Sequence, residues 1–264
     1  MGAESLIRLG VFAGVLAVLM LWELAAPWRE AQRRSQRWPS NLALVALDSI
    51  LVRLVFPLTA AGVALLAEVQ GWGLFPLLGV PGWLAVPLGI VLLDLVIYAQ
   101  HVAFHRVPVL WRLHRLHHAD TVLDVTTGLR FHPVEILLSM LIKVGAVVAL
   151  GIPAVAVVAF EVLLNATAMF NHANITLPPT LDRLLRLFVV TPDMHRVHHS
   201  EVPIETDSNF GFNLPWWDRL FGTYQDGPRA GYQRMTIGLS VFRDEAESRL
   251  DRMLTQPFRR GKRS

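Results

Sequence analysis

The chain has 264 residues, 53% of them hydrophobic and 17% charged, and its 24 basic and 21 acidic side chains leave a net charge of +3. About a quarter of an ordinary water-soluble domain is charged, so this composition excludes such a domain and describes an integral membrane protein. Cysteine is absent, which excludes disulfides, thiolate-bound zinc and cysteine-held iron–sulfur clusters and leaves nitrogen and oxygen to ligate any metal.

Five apolar stretches approach the ~20 residues that a bilayer requires: 5–28, 42–67, 83–98, 134–150 and 153–170. The first lacks the basic start of a signal peptide and reads as a retained span. The second carries Asp48 and Arg53 early and Pro57 inside, so its first turns are expected at the interface. The fourth and fifth are joined by Gly151 and Ile152, with Pro153 opening the next helix, which predicts a tight helical hairpin. Lys143 and Glu161 stand at matching depths on its two arms and are expected to pair within the membrane, with a substrate head group as the alternative partner.

Basic residues concentrate in 29–37 and 252–263, without interleaved aromatics of the kind that bind nucleic acid, and suit a membrane surface. Residues 29–37 hold four arginines against one glutamate, and the positive-inside bias makes this segment cytoplasmic. Counting spans from there puts 71–82 outside, the stretch after Tyr98 inside, the Gly151 turn outside and everything after Phe170 inside. The expected fold is therefore all-α, a bundle of four to five spans with a helical cap on the cytoplasmic side. Three regions follow: N-terminal membrane helices over 1–82, a catalytic unit over 83–226, and a basic C-terminal tail over 227–264.

All ten histidines then lie on one side of the membrane. Eight cluster as His101 and His105, as His114, His117 and His118, and as His195, His198 and His199; His132 and His172 stand apart. Positions i, i+3 and i+4 share a helix face, so each cluster can aim its rings at one point. Pro108 pushes Val107 out of helical geometry and divides the first cluster from the second, which sits on an amphipathic helix restarting near Leu110. Residues 181–190 have a similar amphipathic pattern and lead into the last cluster. A nest of unliganded imidazoles is costly to desolvate and repels itself once protonated, so the set reads as a metal site. A single zinc takes four ligands, or three plus water. Nine imidazoles thus argue for two metals, with iron, zinc, copper and nickel all compatible with nitrogen donors.

The three clusters, together with Arg130-Phe131-His132-Pro133-x-Glu135, Asn171-His172-Ala173-Asn174, Asp207-Ser208-Asn209-Phe210-Gly211 and Trp217-Asp218-Arg219 through Tyr224, resemble the fatty acid hydroxylase and sterol desaturase superfamily of membrane non-haem diiron proteins. The resemblance covers residues 94–224. It implies two irons with O2 as co-substrate, a membrane lipid as substrate, and hydroxylation of a C–H bond or its desaturation. Carried over position by position, the metal ligands are His101, His105, His114, His117, His118, His172, His195, His198 and His199. No haem-domain segment is evident beside these motifs, so electrons are expected from a separate protein, with the basic patches as its docking surface.

His132, just before Pro133, is a tenth ligand or a supporting donor, and Asn174 contacts a metal through water or caps the turn after the fifth span. Ligand imidazoles need a partner for their other nitrogen, and Asp94, Glu135, Asp193, Asp207 and Asp218 are the candidates. Asp94 leads them, lying seven residues before His101 inside an apolar span. Trp216, Trp217 and Phe221 are assigned to interfacial anchoring or packing. The turn at Asn209 to Gly211 is expected to position the last helix, with Gly211 in a backbone conformation that other residues avoid. Two other functions compete: a zinc hydrolase, disfavoured by the lack of His-Glu-x-x-His, and a metal transporter or store, disfavoured because few ionisable residues penetrate the spans.

Overall fold

The computed structural model describes residues 3–30 and 33–261, with side chains from Leu6 onward. Ala31 and Gln32 of the first basic run, and Lys262 and Arg263 of the second, lie outside the described residues. Among these residues the regular elements are all helices, with two isolated bridges and no strand. The helices are α1 (Ala3–Ala25), α2 (Arg34–Val55), α3 (Ala60–Gln70), α4 (Leu74–Leu77), α5 (Gly82–Arg106), α6 (Pro108–His118), α7 (Pro133–Leu150), α8 (Ala154–His172), α9 (Pro179–Leu185), α10 (Pro192–His198), α11 (Pro203–Thr206), α12 (Trp216–Leu220) and α13 (Leu250–Thr255).

Five helical stretches are long and apolar enough to cross a membrane, as expected: α1, the run from α2 to α4, α5, α7 and α8. Their outer faces carry exposed Leu21, Leu54, Val69, Leu77 and Trp83. Water would not tolerate an apolar surface of this extent, whereas lipid chains solvate it. Inside, alanines Ala60, Ala61 and Ala64 of α3 and Ala156 of α8 let backbones approach closely around Leu93, Val147, Val157 and Phe160.

The second stretch extends beyond the apolar run 42–67 at both ends, over Arg34–Leu77. It begins at Arg34 and breaks between Val55 and Ala60, where Pro57 removes a backbone donor and Phe56 adopts an extended conformation (φ −109°, ψ 104°). Thr59 restarts the chain by accepting a hydrogen bond from Gly62 N at 3.1 Å. The α7–α8 hairpin forms as expected, with Gly151 left-handed at φ +68°. Lys143 Nζ donates to Glu161 Oε1 across it, and a third partner appears from α1, where Arg8 Nη2 stands 2.8 Å from Glu161 Oε2.

The C-terminal ends of α1, α5 and α8 and the N-terminal ends of α2 and α7 meet at one end of the bundle under a cap. Arg37, in the run expected at a membrane surface, is buried there. Its guanidinium donates to Asp120 at 2.6 and 2.7 Å and to Asp124 at 2.6 Å, because the turn after α6 brings both carboxylates against the start of α2. Burial pushes the Asp120 carboxyl up, and the Arg37 and Arg130 guanidiniums outweigh it and hold it below the ordinary carboxylate range. Residues 227–261, within the expected basic C-terminal tail, pack against the cap as a strap. Met253 packs with Leu44 of α2 and Leu116 of α6, and Arg112 and Arg115 of α6 donate to the carbonyls of Pro257 and Gln256.

Candidate metal centre

Nine histidines converge at this end of the bundle in two groups: His101, His105, His114, His118 and His198 in one, His117, His172, His195 and His199 in the other, with ligand atoms of each group within 4.8 Å of one another. Pro108 makes this possible. α5 ends at Arg106, Val107 turns the chain, and α6 folds back so that His114 and His118 face His101 and His105. One position off that face, His117 turns to the second group. α10 does the same, sending His198 to the first group and His195 and His199 to the second. Thr191 caps α10 by accepting from Met194 N. Arg196, fully buried, fixes its roll by donating to Asp193 and to Ile175 O and by lying 3.9 Å over the Trp28 ring.

The ring nitrogens show what these groups can hold. His101 Nδ1 donates to Phe210 O (2.7 Å), His198 Nδ1 to Ser208 O (2.7 Å) and His172 Nδ1 to Ala168 O (2.6 Å). A carbonyl only accepts, so in each neutral ring Nε2 is left as a bare lone pair. Yet His101 and His198 meet Nε2 to Nε2 at 3.1 Å, and His172 Nε2 stands 3.0 to 3.1 Å from the Nε2 atoms of His117, His195 and His199. One proton cannot serve three such contacts, and facing lone pairs repel. A cation between them resolves the conflict. With metal–nitrogen bonds of about 2.1 Å, ligand nitrogens stand about 3.0 Å apart at a right angle and about 3.4 Å apart in a tetrahedron. The contacts at 3.0 to 3.1 Å are short enough for one first-row cation to bridge the nitrogens that make them.

Burial pushes the histidines of α6 and the last cluster well below their ordinary value, His114 to about 3, and crowding by other imidazoles lowers most of them further. All six are therefore neutral at pH 7 and able to ligate. Two expected carboxylates reach a histidine: Glu135 Oε1 lies 2.7 Å from His114 Nδ1 and Asp207 Oδ1 lies 3.2 Å from His105 Nδ1. The Nδ1 atoms of His117, His195 and His199 are buried without a hydrogen-bond partner among the described residues.

The other expected supports act elsewhere. Asp94 reaches no histidine, since its carboxylate accepts from Leu214 N (3.2 Å) and Trp217 Nε1 (2.8 Å) and so ties the loop before α12 to α5. Asp193 pairs with Arg196. Asp218 accepts from Phe210 N and Gly211 N at 2.8 and 2.9 Å, which steadies the carbonyl that receives His101. His132 lies outside both groups: its Nδ1 caps α7 by accepting from Val134 N, and its other nitrogen lies 3.2 Å from Leu254 O. Both polar ends of the Asn174 side chain are taken by the backbone of Arg29.

Gly211 is required for a different reason than backbone conformation. A Cβ there would stand 2.8 Å from Asp218 Oδ2 and from Leu214 O, and the left-handed residue of this turn is Asn209, at φ +50°. Trp216 Nε1 donates to Leu187 O, Trp217 is held by Asp94, and Phe221 stacks on Tyr98 at 5.5 Å.

Sequence reasoning missed Glu23, whose Oε1 accepts from Val125 N and Asn174 N, each at 2.7 Å. It also missed Asp120 and Asp124, although the apolar Val122 and Leu123 between them signal burial. Gly128 was missed as well: a Cβ there would lie 2.6 Å from Ala168 O, the acceptor of His172.

The fatty acid hydroxylase family profile matches residues 86–223, just over half of the chain and all nine clustered histidines. The ornithine lipid hydroxylase OlsE of Rhizobium tropici is 28% identical over 229 residues, covering 83% of this chain and 67% of the relative. The alkylglycerol monooxygenase of Homo sapiens is 28% identical over 230 residues, and that of Danio rerio 29% over 215. The chain spans 48% and 45% of their lengths. No solved structure matches the chain. With its histidine pattern, helical bundle and matched region in agreement, the chain belongs to the fatty acid hydroxylase family.

Proposed function

We propose that the protein is an O2-dependent diiron oxidoreductase that hydroxylates a C–H bond of a membrane lipid. The observation that carries the reading is the inward convergence of bare Nε2 lone pairs in two adjacent groups. The lack of a His-Glu-x-x-His motif weighs against the hydrolase alternative. The nine clustered histidines are the proposed ligands.

Bound iron supplies the reduction of O2 and the removal of hydrogen from an unactivated C–H bond. One oxygen atom enters the lipid and the other leaves as water, which requires two electrons and two protons from a separate donor. The chain's own residues set the conditions. The carbonyls of Phe210, Ser208 and Ala168 fix the tautomers of three ligands, and Glu135 and Asp207 hold the Nδ1 protons of His114 and His105. Phe131 and Phe212 cover the groups on the side of the apolar bundle core and exclude water from the reacting carbon.

The catalytic unit is 83–226, with the following strap closing over α6. We place this cap on the cytoplasmic side from the arginine bias of 29–37, where exposed Arg106, Arg112 and Arg219 would meet an acidic electron carrier. The test is metal analysis and Mössbauer spectroscopy of protein purified from iron-57 medium, with lipid mass spectrometry of the expressing cells under oxygen-18 gas. Two coupled irons per chain and one labelled oxygen per modified lipid are expected. Stoichiometric zinc, or unmodified lipids with both irons in place, would overturn the reading.

A further inference from the structure

Two phenylalanine rings each touch one histidine of both groups. Phe131 stacks on His117 at 4.5 Å and lies 6.1 Å from His114, and Phe212 lies 4.9 Å from His101 and 6.0 Å from His195. Phe212 is part of the membrane core beside Leu93, Phe160 and Ala168, and Phe131 packs on its edge. A carbon arriving from the bundle core therefore meets these rings before it meets an imidazole nitrogen.

Phe212 is fixed from three directions. On the α8 side, Asn171 Nδ2 donates to Phe212 O at 3.2 Å and the Thr167 hydroxyl donates to Asn213 Oδ1. On the α5 side, Asp94 accepts from Leu214 N and Trp217 Nε1. From the segment before α10, Val190 N donates to Asn213 O at 2.9 Å. A loop tied in this way is a wall and not a lid. Selecting one carbon of a uniform chain needs such a surface, because an ångström of misplacement moves the reacting atom.

Thr167 also lines a groove of about 550 Å³ between α1 and α8, walled by Val11, Val15 and Val18 on one side and Ala166 and Phe170 on the other. The groove opens on the lipid-facing surface of two candidate spans, and its almost wholly apolar lining suits a hydrocarbon chain. It follows α1 from Val11 to Leu19, about 12 Å of helix. Thr167 is one of its lining residues, and the Thr167 hydroxyl donates to Asn213, the residue next to Phe212.

We infer that Phe212 is the specificity-determining residue of the site. One acyl or alkyl chain of the substrate lipid lies in the α1–α8 groove, passes Thr167 and packs against the Phe212 ring, which sets the carbon presented to the two histidine groups. The inference rests on the hydroxylase reading, and its test has an arm that needs no turnover. Protein in phosphatidylethanolamine nanodiscs doped with an alkyl-diazirine phosphatidylethanolamine is irradiated, and the cross-linked peptides are mapped. Cross-links concentrated at Val15, Val18, Ala166 and Thr167, and abolished by Ala166→Trp, are expected. A yield there no higher than at lipid-facing Leu54 and Val69 would overturn the groove assignment.

In the second arm, wild type, Phe212→Leu and Phe212→Ala are compared by fragment mass spectrometry of the oxygenated lipid, with iron content as the folding control. Phe212→Ala is expected to change the preference between adjacent carbons by about tenfold or more, with Phe212→Leu intermediate. Unchanged selectivity in both variants would overturn the inference, and so would loss of iron from both, which would make the ring a support of the metal centre. Failure of the iron-loaded wild type to oxygenate any lipid would instead overturn the hydroxylase reading, and the cross-linking arm would still judge the groove.

Discussion

His101 and His198 meet Nε2 to Nε2 at 3.1 Å, ninety-seven residues apart in sequence, while a backbone carbonyl holds the Nδ1 proton of each ring. The arrangement places lone pair against lone pair and becomes favourable when both donate to one cation. His172 plays the same part in the second group, where three other Nε2 atoms surround its own. His172→Ala is expected to roughly halve the iron bound per chain, since the first group keeps all its donors, and His101→Ala to halve it from the other side. Metal analysis of the purified variants checks this. Complete loss of metal in both would show that the two groups load as one unit.

Glu135 holds the Nδ1 proton of His114 from the first turn of α7. Glu135→Ala should weaken metal retention by about 10 to 100-fold, as removal of such partners does. Competition with a graded series of chelators measures it, and retention equal to wild type would remove Glu135 from the support of the site.

Arg37, Asp120 and Asp124 form a buried ion cluster that joins the start of α2 to the turn after the second histidine cluster. Asp120→Asn leaves a buried cation short of a partner and is expected to cost about 3–5 kcal/mol. Adding both Arg37→Met and Asp124→Asn to that background, which removes the remaining charges of the pair, should recover part of the loss. Thermal unfolding in detergent, followed by circular dichroism, reads both steps.

The burial that lowers the α6 and α10 histidines makes the metal-free protein acid-sensitive. The unfolded chain takes up protons near pH 6.5, whereas these folded-state values lie well below that, at about 3 for His114. Their contribution to stability is therefore complete above about pH 6.5 and is lost as pH falls from there toward the lowered folded values. Chelator-treated protein should unfold at a lower temperature at about pH 5 than at pH 7.5, with little change between about pH 7.5 and 8.5. A flat profile down to about pH 5 would mean that the metal-free histidines are open to water.

Gly128 lets the 3-10 turn of Thr127–Leu129 pass against α8, where a Cβ would press on Ala168 O and lie 3.2 Å from His172 Nδ1. Gly128→Ala should displace the acceptor of His172 and lower metal binding in the second group more than in the first. Comparing its iron content with that of His172→Ala tests the assignment.

Much of this arrangement was legible in the sequence because it is local. Helical periodicity put His101 with His105, and His114 with His118, on shared faces, whereas His117 and His198 turn away from the rest of their clusters; Pro108 marked the turn between α5 and α6, and Gly151 with Pro153 marked the hairpin. Apolar run lengths gave the spans, and matched depth gave the pairing of Lys143 with Glu161. These properties belong to a few residues along one segment, so composition and spacing fix them before the chain folds.

The division of nine histidines between two groups was decided only by the tertiary structure, because it depends on how α6 and α10 lie across the ends of α5 and α8. The same holds for the partners of the rings. Three are backbone carbonyls, which every residue carries and no pattern distinguishes, and Asp94, which sequence position favoured, faces Trp217 because the loop before α12 crosses α5 there. The burial of Arg37, the helix break at Pro57 and the seating of Phe212 between two histidines likewise arise where distant segments meet. A side chain's type states what it can bind; packing between segments far apart in sequence settles which partner reaches it first.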